Sequence, residues 1–374
     1  MVRSVQHAML PQPTVDEASR QQFIVAFKQA LNRSLRSSQR RLFDTVVAPD
    51  YWQRLGRAPQ SRDDIRSGME AQSAWRSWST LARSAQEQMW SAMSETVFRE
   101  RSRLSATALG LAQAPLCGGS LELDPGLEAP RGVTAVDIHL QTGGYMLDLG
   151  GHDCSAGALY ECGGNLYAFG NGISRQDSKA AHVQRFIAEK FPGLRPRKIL
   201  DMGCSAGSAS VPYAHAYPDA AVHAIDVSPG MLRYAHARAE SLGAAVHFHQ
   251  MDSARTSFAS ESFDLIVSHN MMHEISDASR RGMLRESWRL LAPGGVFIHQ
   301  DVPLQFAALD EFQKFDYSWD TLNNNEPYWE AYANADLRKE MLAAGIAESC
   351  THVGNLPQTS GSLPWYVACA WKNN

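Results

Sequence analysis

Lys198-Ile199-Leu200-Asp201-Met202-Gly203-Cys204-Ser205-Ala206-Gly207 runs from an apolar pair into a carboxylate and then into a loop with glycines at 203 and 207. The run Ser208 to His215 that follows is helix-compatible. The segment therefore predicts a buried parallel strand, a tight turn and a helix start. Glycine lets such a turn reach positive φ and lets a ligand lie against bare backbone. Alone, a loop of this kind identifies no ligand.

The same pattern recurs downstream. Ala221-Val222-His223-Ala224-Ile225-Asp226 predicts a second strand ending in a carboxylate, 25 positions after Asp201. An acid at a strand tip roughly 20 residues past a glycine loop is placed to accept hydrogen bonds from a ribose diol. Val246 to Asp252 and Phe263 to Asn270 predict the third and fourth strands. Leu290 to Ile298 predicts a helix end, a Pro293-Gly294-Gly295 turn and a fifth strand. A helix is expected over Asp177 to Phe191 and another over Asp336 to Ala344. Glu348 to Val353 and Trp365 to Trp371 predict a closing antiparallel pair around a loop at Pro357 to Pro364.

This succession of strands and carboxylates resembles the class I S-adenosylmethionine-dependent methyltransferases over about residues 165–374. The family loop is D-x-G-x-G-x-G, and here it is Asp201-x-Gly203-x-Ser205-x-Gly207, with serine at the middle glycine. A nicotinamide-binding loop, G-x-G-x-x-G, fits neither this spacing nor the Pro-Gly-Gly segment. The resemblance implies an α/β fold with a Rossmann-like seven-stranded sheet and S-adenosyl-L-methionine as cofactor. It implies that Asp201 and the loop Gly203, Ser205 and Gly207 pass under the methionine part of that cofactor. Asp226 would take the ribose hydroxyls, while Met251 and Asp252 would bracket the adenine, with His269 beside them at the tip of the fourth strand. Asp252 alone has a lesser alternative reading, as a cap for the turn at Ser253.

Methyl transfer needs alignment, exclusion of water and, for a hydroxyl acceptor, removal of a proton. Met271-Met272-His273-Glu274-Ile275-Ser276-Asp277 resembles the His-Asp-x-Ser-Asp stretch of hydroxy-aromatic O-methyltransferases. Carried over, His273 is the candidate base, with Glu274 or Asp277 to orient it and His269 as its rival; imidazole suits the role because it titrates near neutrality. The aromatic-rich stretch Phe312 to Tyr332 follows the fifth strand. It suggests a cap in which Trp319, Tyr328 and Trp329 bind substrate, with core packing as the alternative for each.

The domains expected are a disordered lead-in at 1–15, a helical lid or dimerisation domain at 16–115, a small β region at 116–170 and the cofactor-binding domain at 171–374. Trp75, Trp78, Leu81, Met89, Trp90, Met93 and Phe98 recur at helical spacing, which marks a core or interface stripe and a possible homodimer face. The β region rests on period-two runs: Ala135 to Leu140 and Tyr145 to Leu149 around Gly143-Gly144, then Ala158 to Glu161 and Asn165 to Phe169 around Gly163-Gly164.

Composition narrows the function. Apolar residues make up 44% of 374, enough for a full core, and the net charge is −4, which argues against a nucleic-acid protein. Charge is uneven: residues 1–105 hold 16 Arg and Lys against 10 Asp and Glu. That leaves contact of the helical half with RNA or an acidic partner as an alternative to a solvated arginine face. Six scattered cysteines with no C-x-x-C pair predict no zinc or other metal site. With no leader peptide or membrane-length apolar run, a cytosolic, soluble protein is expected. The reading is an enzyme that methylates a small-molecule hydroxyl, with a natural product as the expected acceptor; alternatives are RNA or protein methylation, or a cofactor-binding isomerase or cyclase.

Overall fold

A computed structural model of the chain describes residues 6–167, 178–356 and 365–373. Eight strands form one sheet: β1 (Ser120–Glu122), β2 (Lys198–Met202), β3 (Ala221–Asp226), β4 (His247–Gln250), β5 (Phe263–His269), β6 (Leu291–Asp301), β7 (Thr351–Leu356) and β8 (Trp365–Trp371). Their spatial order is β1-β4-β3-β2-β5-β6-β8-β7. β1 to β6 pair in parallel, and β8 and β7 add antiparallel. The seven expected strands are all present; β1 is an eighth, short edge strand. The loop at Pro357 to Pro364 lies outside the described residues.

Both faces of the sheet are covered. Alternate residues of β2 serve opposite cores: Ile199 packs with Val222, Val267 and Ile298, while Leu200 packs with Ile225, Ile266 and Phe297. After β2 the chain builds outward through β3 and β4, then returns past β2 to add β5 and β6. That reversal opens a crevice at the carboxyl ends of β2 and β5, where such sheets bind ligands.

The helical half is organised by one 41-residue helix, Ser73–Gln113, about 60 Å long at 1.5 Å per residue. Most of its apolar stripe packs inside the chain. Trp75 and Trp78 pack on Phe312, Phe315 and Trp319, while Met89, Trp90 and Met93 pack near Leu159 and Tyr234. Five of the seven stripe residues are thus internal, while Leu81 and Phe98 stay exposed at 38% and 39%. The arginine excess is also used inside: Arg36 pairs with Asp316, Arg40 with Asp310 and Arg62 with Glu330. No helix among the described residues is long and apolar enough to cross a membrane.

Two expected regions differ. Residues 158–167 belong to a helix, Ser155–Tyr167, instead of a hairpin, and 135–149 carries a short helical turn at Ile138–Leu140 in place of strands. Short apolar runs do not distinguish strand from buried helix. Gly163, read as a turn residue, serves close packing, as does Gly157: a Cβ on Gly163 would lie 2.1 Å from the Trp90 ring, and one on Gly157 would lie 2.3 Å from Tyr234. The Gly143-Gly144 turn is present, with φ of +74° and +63°. Residues 168 and 169 of the expected second hairpin, and the 170/171 domain boundary, lie outside the described residues. Gly163→Ala should therefore cost about 1–3 kcal/mol by overpacking against Trp90, read as a lower urea midpoint. A loss below a few tenths of a kcal/mol would contradict this helix contact.

The lead-in is also built in over its described part. Met9 is fully buried, His7 Nε2 lies 3.2 Å from Glu161 Oε1, and Arg103 donates to the carbonyls of Ala8 and Leu10. One buried methionine and a carboxylate partner anchor a segment whose composition resembles a loose terminus.

Candidate active site

The loop after β2 is pinned to the end of β3. Gly203 N–H and Cys204 N–H both donate to the Ile225 carbonyl, at 2.8 and 2.9 Å, and Ser205 N–H donates to Asp226 at 2.9 Å. Gly203, Ser205 and Gly207 have φ of +68°, +44° and +72°. The middle position therefore takes the left-handed conformation that favours glycine, and Ser205 occupies it at some cost. A Cβ on Gly203 would lie 2.4 Å from Met271 Sδ, so no side chain fits there.

Strand tips supply acceptors around one cleft. Gly203, Ser205, Asp226, Met251, Asp252, His269, Asn270 and Glu274 all line it, together with Tyr145 and Tyr160 from the helical side. Each oxygen of Asp226 accepts one backbone N–H, from Ser205 and from Ser228, which leaves a second lone pair on each for a ligand. Asp252 accepts from Ala254 N–H at 2.8 Å, so it caps a turn and lines the cleft at once. Asn270 Oδ1 is buried and finds no partner among the described residues. Asp201 sits behind the loop, 1% exposed, where burial pushes its pKa up to about 7 against a 2.6 Å hydrogen bond from Ser210. It supports the loop from below and does not line the cleft.

At the other end of the cleft is a cluster of histidines and carboxylates. His273 Nδ1 lies 2.5 Å from Asp301 Oδ1 at the tip of β6, and its Nε2 lies 3.4 Å from Glu274 Oε1. Burial disfavours the charged ring, but Asp301 and Glu274 outweigh it and raise the His273 pKa to about 10. His139 Nε2 lies 2.8 Å from the same Glu274 oxygen, and its Nδ1 lies 2.9 Å from Glu326. Tyr145 donates to Glu274 at 3.0 Å. His273 thus stands beside the cleft, yet both its nitrogens already face carboxylates. In that state the ring is a donor, and Glu274 is the group that presents oxygen to the cleft.

His269 is different again. Its Nε2 lies 3.1 Å from the Tyr213 hydroxyl and its Nδ1 3.2 Å from Gln300 Oε1, and burial lowers its pKa to about 3. It is a neutral ring held in place on the cleft wall.

The comparisons with known proteins bear on this arrangement. Residues 199–295 match the family model described as a methyltransferase domain. Over these residues the chain carries a methyltransferase domain. The chain is similar to the malonyl-[acyl-carrier protein] O-methyltransferase of Hahella chejuensis, 31% identical over 122 residues, which are 32% of this chain and 42% of that protein. The ubiquinone biosynthesis O-methyltransferase of Azorhizobium caulinodans is 28% identical over 172 residues, 44% of this chain and 66% of that protein. The trans-aconitate 2-methyltransferase of Methylobacterium radiotolerans is 34% identical over 125 residues, 33% and 45% of the two chains. The chain thus spans less than two thirds of each of these relatives. Among solved structures, phosphoethanolamine N-methyltransferase 2 of Haemonchus contortus aligns over 58% of each chain, at 17% identity and a TM-score of 0.44.

Within the methyltransferase domain the expected cofactor residues Gly203, Ser205, Asp226, Met251, Asp252 and His269 converge on one cleft; Gly207 and Asp201 stand behind it. The expected substrate aromatics do not line it. Trp319 is 8% exposed in the Trp75/Trp78 cluster and donates to Ser79 Oγ at 2.8 Å. Trp329 stands edge-on to His273 at 5.3 Å, and Tyr328 packs on Gly132. Tryptophans separated by ten positions (Trp319 and Trp329) fall in different short helices and reach different surroundings. Sequence reasoning missed Tyr145, Tyr160, His139, Asp301 and Glu326. Only Asp301 had a signal, a carboxylate at a parallel strand tip.

Proposed function

We propose that the chain is an S-adenosylmethionine-dependent methyltransferase acting on a small molecule, at a hydroxyl oxygen. The observation that carries this reading is one cleft with acceptors at one end and a polar cluster at the other. The acceptors Asp226, Asp252 and the unpartnered Asn270 Oδ1 suit a cofactor rich in donors: a ribose diol, an adenine amino group and an ammonium. When bound, the cofactor supplies an electrophilic methyl group on a sulfonium.

The chain's own residues do the rest. Asp226 holds the ribose hydroxyls, Met251 and Asp252 flank the adenine, and the Gly203–Gly207 loop gives backbone contact. Tyr145 and Tyr160 close the cleft from the helical side and keep water out. Glu274, oriented by His139, His273 and Tyr145, faces the acceptor and receives its hydroxyl as a hydrogen-bond donor. His273 acts on the acceptor through Glu274. Six free cysteines suit a cytosolic enzyme.

Calorimetry with S-adenosylmethionine and S-adenosylhomocysteine tests the cofactor half. Methyl-labelled cofactor incubated with a fractionated cell extract tests the acceptor half. Micromolar binding with label in the small-molecule fraction is the expected result. Label in protein or RNA, or bound cofactor with no label transferred, would overturn the small-molecule methylation reading.

A further inference from the structure

The polar cluster at the acceptor end has the makings of more than an ion-pair network. His139 Nε2, His273 Nε2 and one oxygen of Glu274 lie within 4.8 Å of one another. Two of the three separations are 2.8 and 3.4 Å. Ligand atoms bound at about 2.05 Å to one tetrahedral ion stand about 3.3 Å apart, so the donor set is already near the edge length of a coordination shell. Two imidazoles and one carboxylate form a set that suits zinc or ferrous iron and leaves coordination positions open.

The surroundings of the two rings point the same way. Metal-ligating histidines characteristically direct the second ring nitrogen to a carboxylate, which fixes the tautomer and the ring orientation. Here both do so: His273 Nδ1 meets Asp301 and His139 Nδ1 meets Glu326. Asp301 is itself fixed by the N–H groups of Met272 and Val302, each at 2.7 Å. Glu326 is 2% exposed, and its second oxygen has no hydrogen-bond partner among the described residues. Two buried carboxylates, Asp301 and Glu326, and the partly exposed Glu274 around two imidazoles favour an added positive charge.

The backbone at His139 is held in a costly shape. His139 and Leu140 are consecutive non-glycine residues with φ of +56° and +61°, a conformation that persists where the surroundings over-determine it. Trp90 Nε1–H and Gln86 Nε2–H, both from the long helix, donate to the His139 carbonyl at 2.6 and 3.2 Å. The helical half thereby holds His139 against the sheet half's Glu274, with His273 beside them.

We propose that His139, His273 and Glu274 form a three-ligand site for a divalent transition-metal ion, whose open positions face the cleft and take the acceptor's oxygen. The role of holding the acceptor rests on the methyl-transfer reading above; the ligand set does not. A bound ion would act as a Lewis acid on the acceptor oxygen and favour its deprotonated form. The expectation from cysteine spacing that no metal binds is revised here, because the ligands are histidines 134 positions apart.

The test uses the full chain, purified without a histidine tag, stripped with a chelator and titrated with Co²⁺ followed by its visible absorption and with Zn²⁺ by calorimetry. One equivalent is expected to bind. His139→Ala and Glu274→Gln should each lose about a hundredfold in affinity or more, with unchanged circular dichroism. Asp301→Asn keeps all three ligands and should lose roughly 10–100-fold. His249→Gln, in the separate His223/His249 pair on β3 and β4, should bind as wild type does. Absence of binding in the wild type, or binding that survives both His139→Ala and Glu274→Gln, overturns the proposal. Cofactor affinity measured on the same proteins separates the two readings. Metal without cofactor binding fails only the methyl-transfer reading, and cofactor without metal fails only this one.

Discussion

Replacing Glu161 by Ala or Gln is expected to cost about 3–5 kcal/mol, the range found when one partner of a buried ion pair is removed. Glu161 is 0% exposed and Arg238 only 4%. Arg238 Nε lies 3.1 Å from both Glu161 oxygens, the Tyr234 hydroxyl donates to the same carboxylate at 2.8 Å, and Arg238 also reaches the Gly207 carbonyl. Without Glu161 a guanidinium is left buried directly behind the cofactor loop. Urea unfolding monitored by circular dichroism would show it, and a loss under 1 kcal/mol would refute this assignment. The same pair gives the fold an acid limit. Burial alone would raise the Glu161 pKa, but Arg238 and His7 overcome it and hold it at about 2, below the usual 4.5. A depressed carboxylate contributes its stability above the unfolded value and loses it as pH falls through the folded one. The contribution should therefore fade between about pH 4.5 and 2, and Glu161→Gln should flatten that part of the stability curve.

Asp226→Ala should weaken S-adenosylmethionine binding by about a hundredfold or more, from two lost charge-assisted hydrogen bonds worth about 1.5–3 kcal/mol each. The carboxylate also holds Ser205 N–H and Ser228 N–H, so the loop loses its preorganisation with its ligand contact. Asp226→Asn keeps one acceptor oxygen and should fall between wild type and alanine. Calorimetry on the folded variants decides it. Affinity within threefold of wild type in Asp226→Ala would remove Asp226 from the cofactor site.

The strand-tip end of the cleft was legible because each of its parts is local. Asp201 to Gly207, Asp226 and Met251-Asp252 each close a strand, and the strand-tip rule brings them together without knowledge of side-chain contacts. The acceptor end was not legible. His139 meets Glu274 across 135 positions and Asn324 across 185, and nothing in the run Ala135 to Leu140 announces a turn with two left-handed residues. The helix Ser155–Tyr167 was misread because its glycines answer to Trp90 and Tyr234, far away in sequence. Trp319 and Trp329 were grouped by composition, while short helices point them to different places.

The clasp between Trp78 and Trp319 also sets a schedule for synthesis. Ser79, in the first helical third, bonds a tryptophan made 240 positions later. At ~5–20 residues per second a ribosome needs roughly 12–50 s to cover that distance. Through that interval Trp75 and Trp78 have no Phe312, Phe315 or Trp319 to cover them. The nascent chain therefore covers these indoles only from the Val47, Ile65 and Met69 side until most of the polypeptide has emerged, and a product truncated before residue 312 should be a chaperone client prone to aggregate.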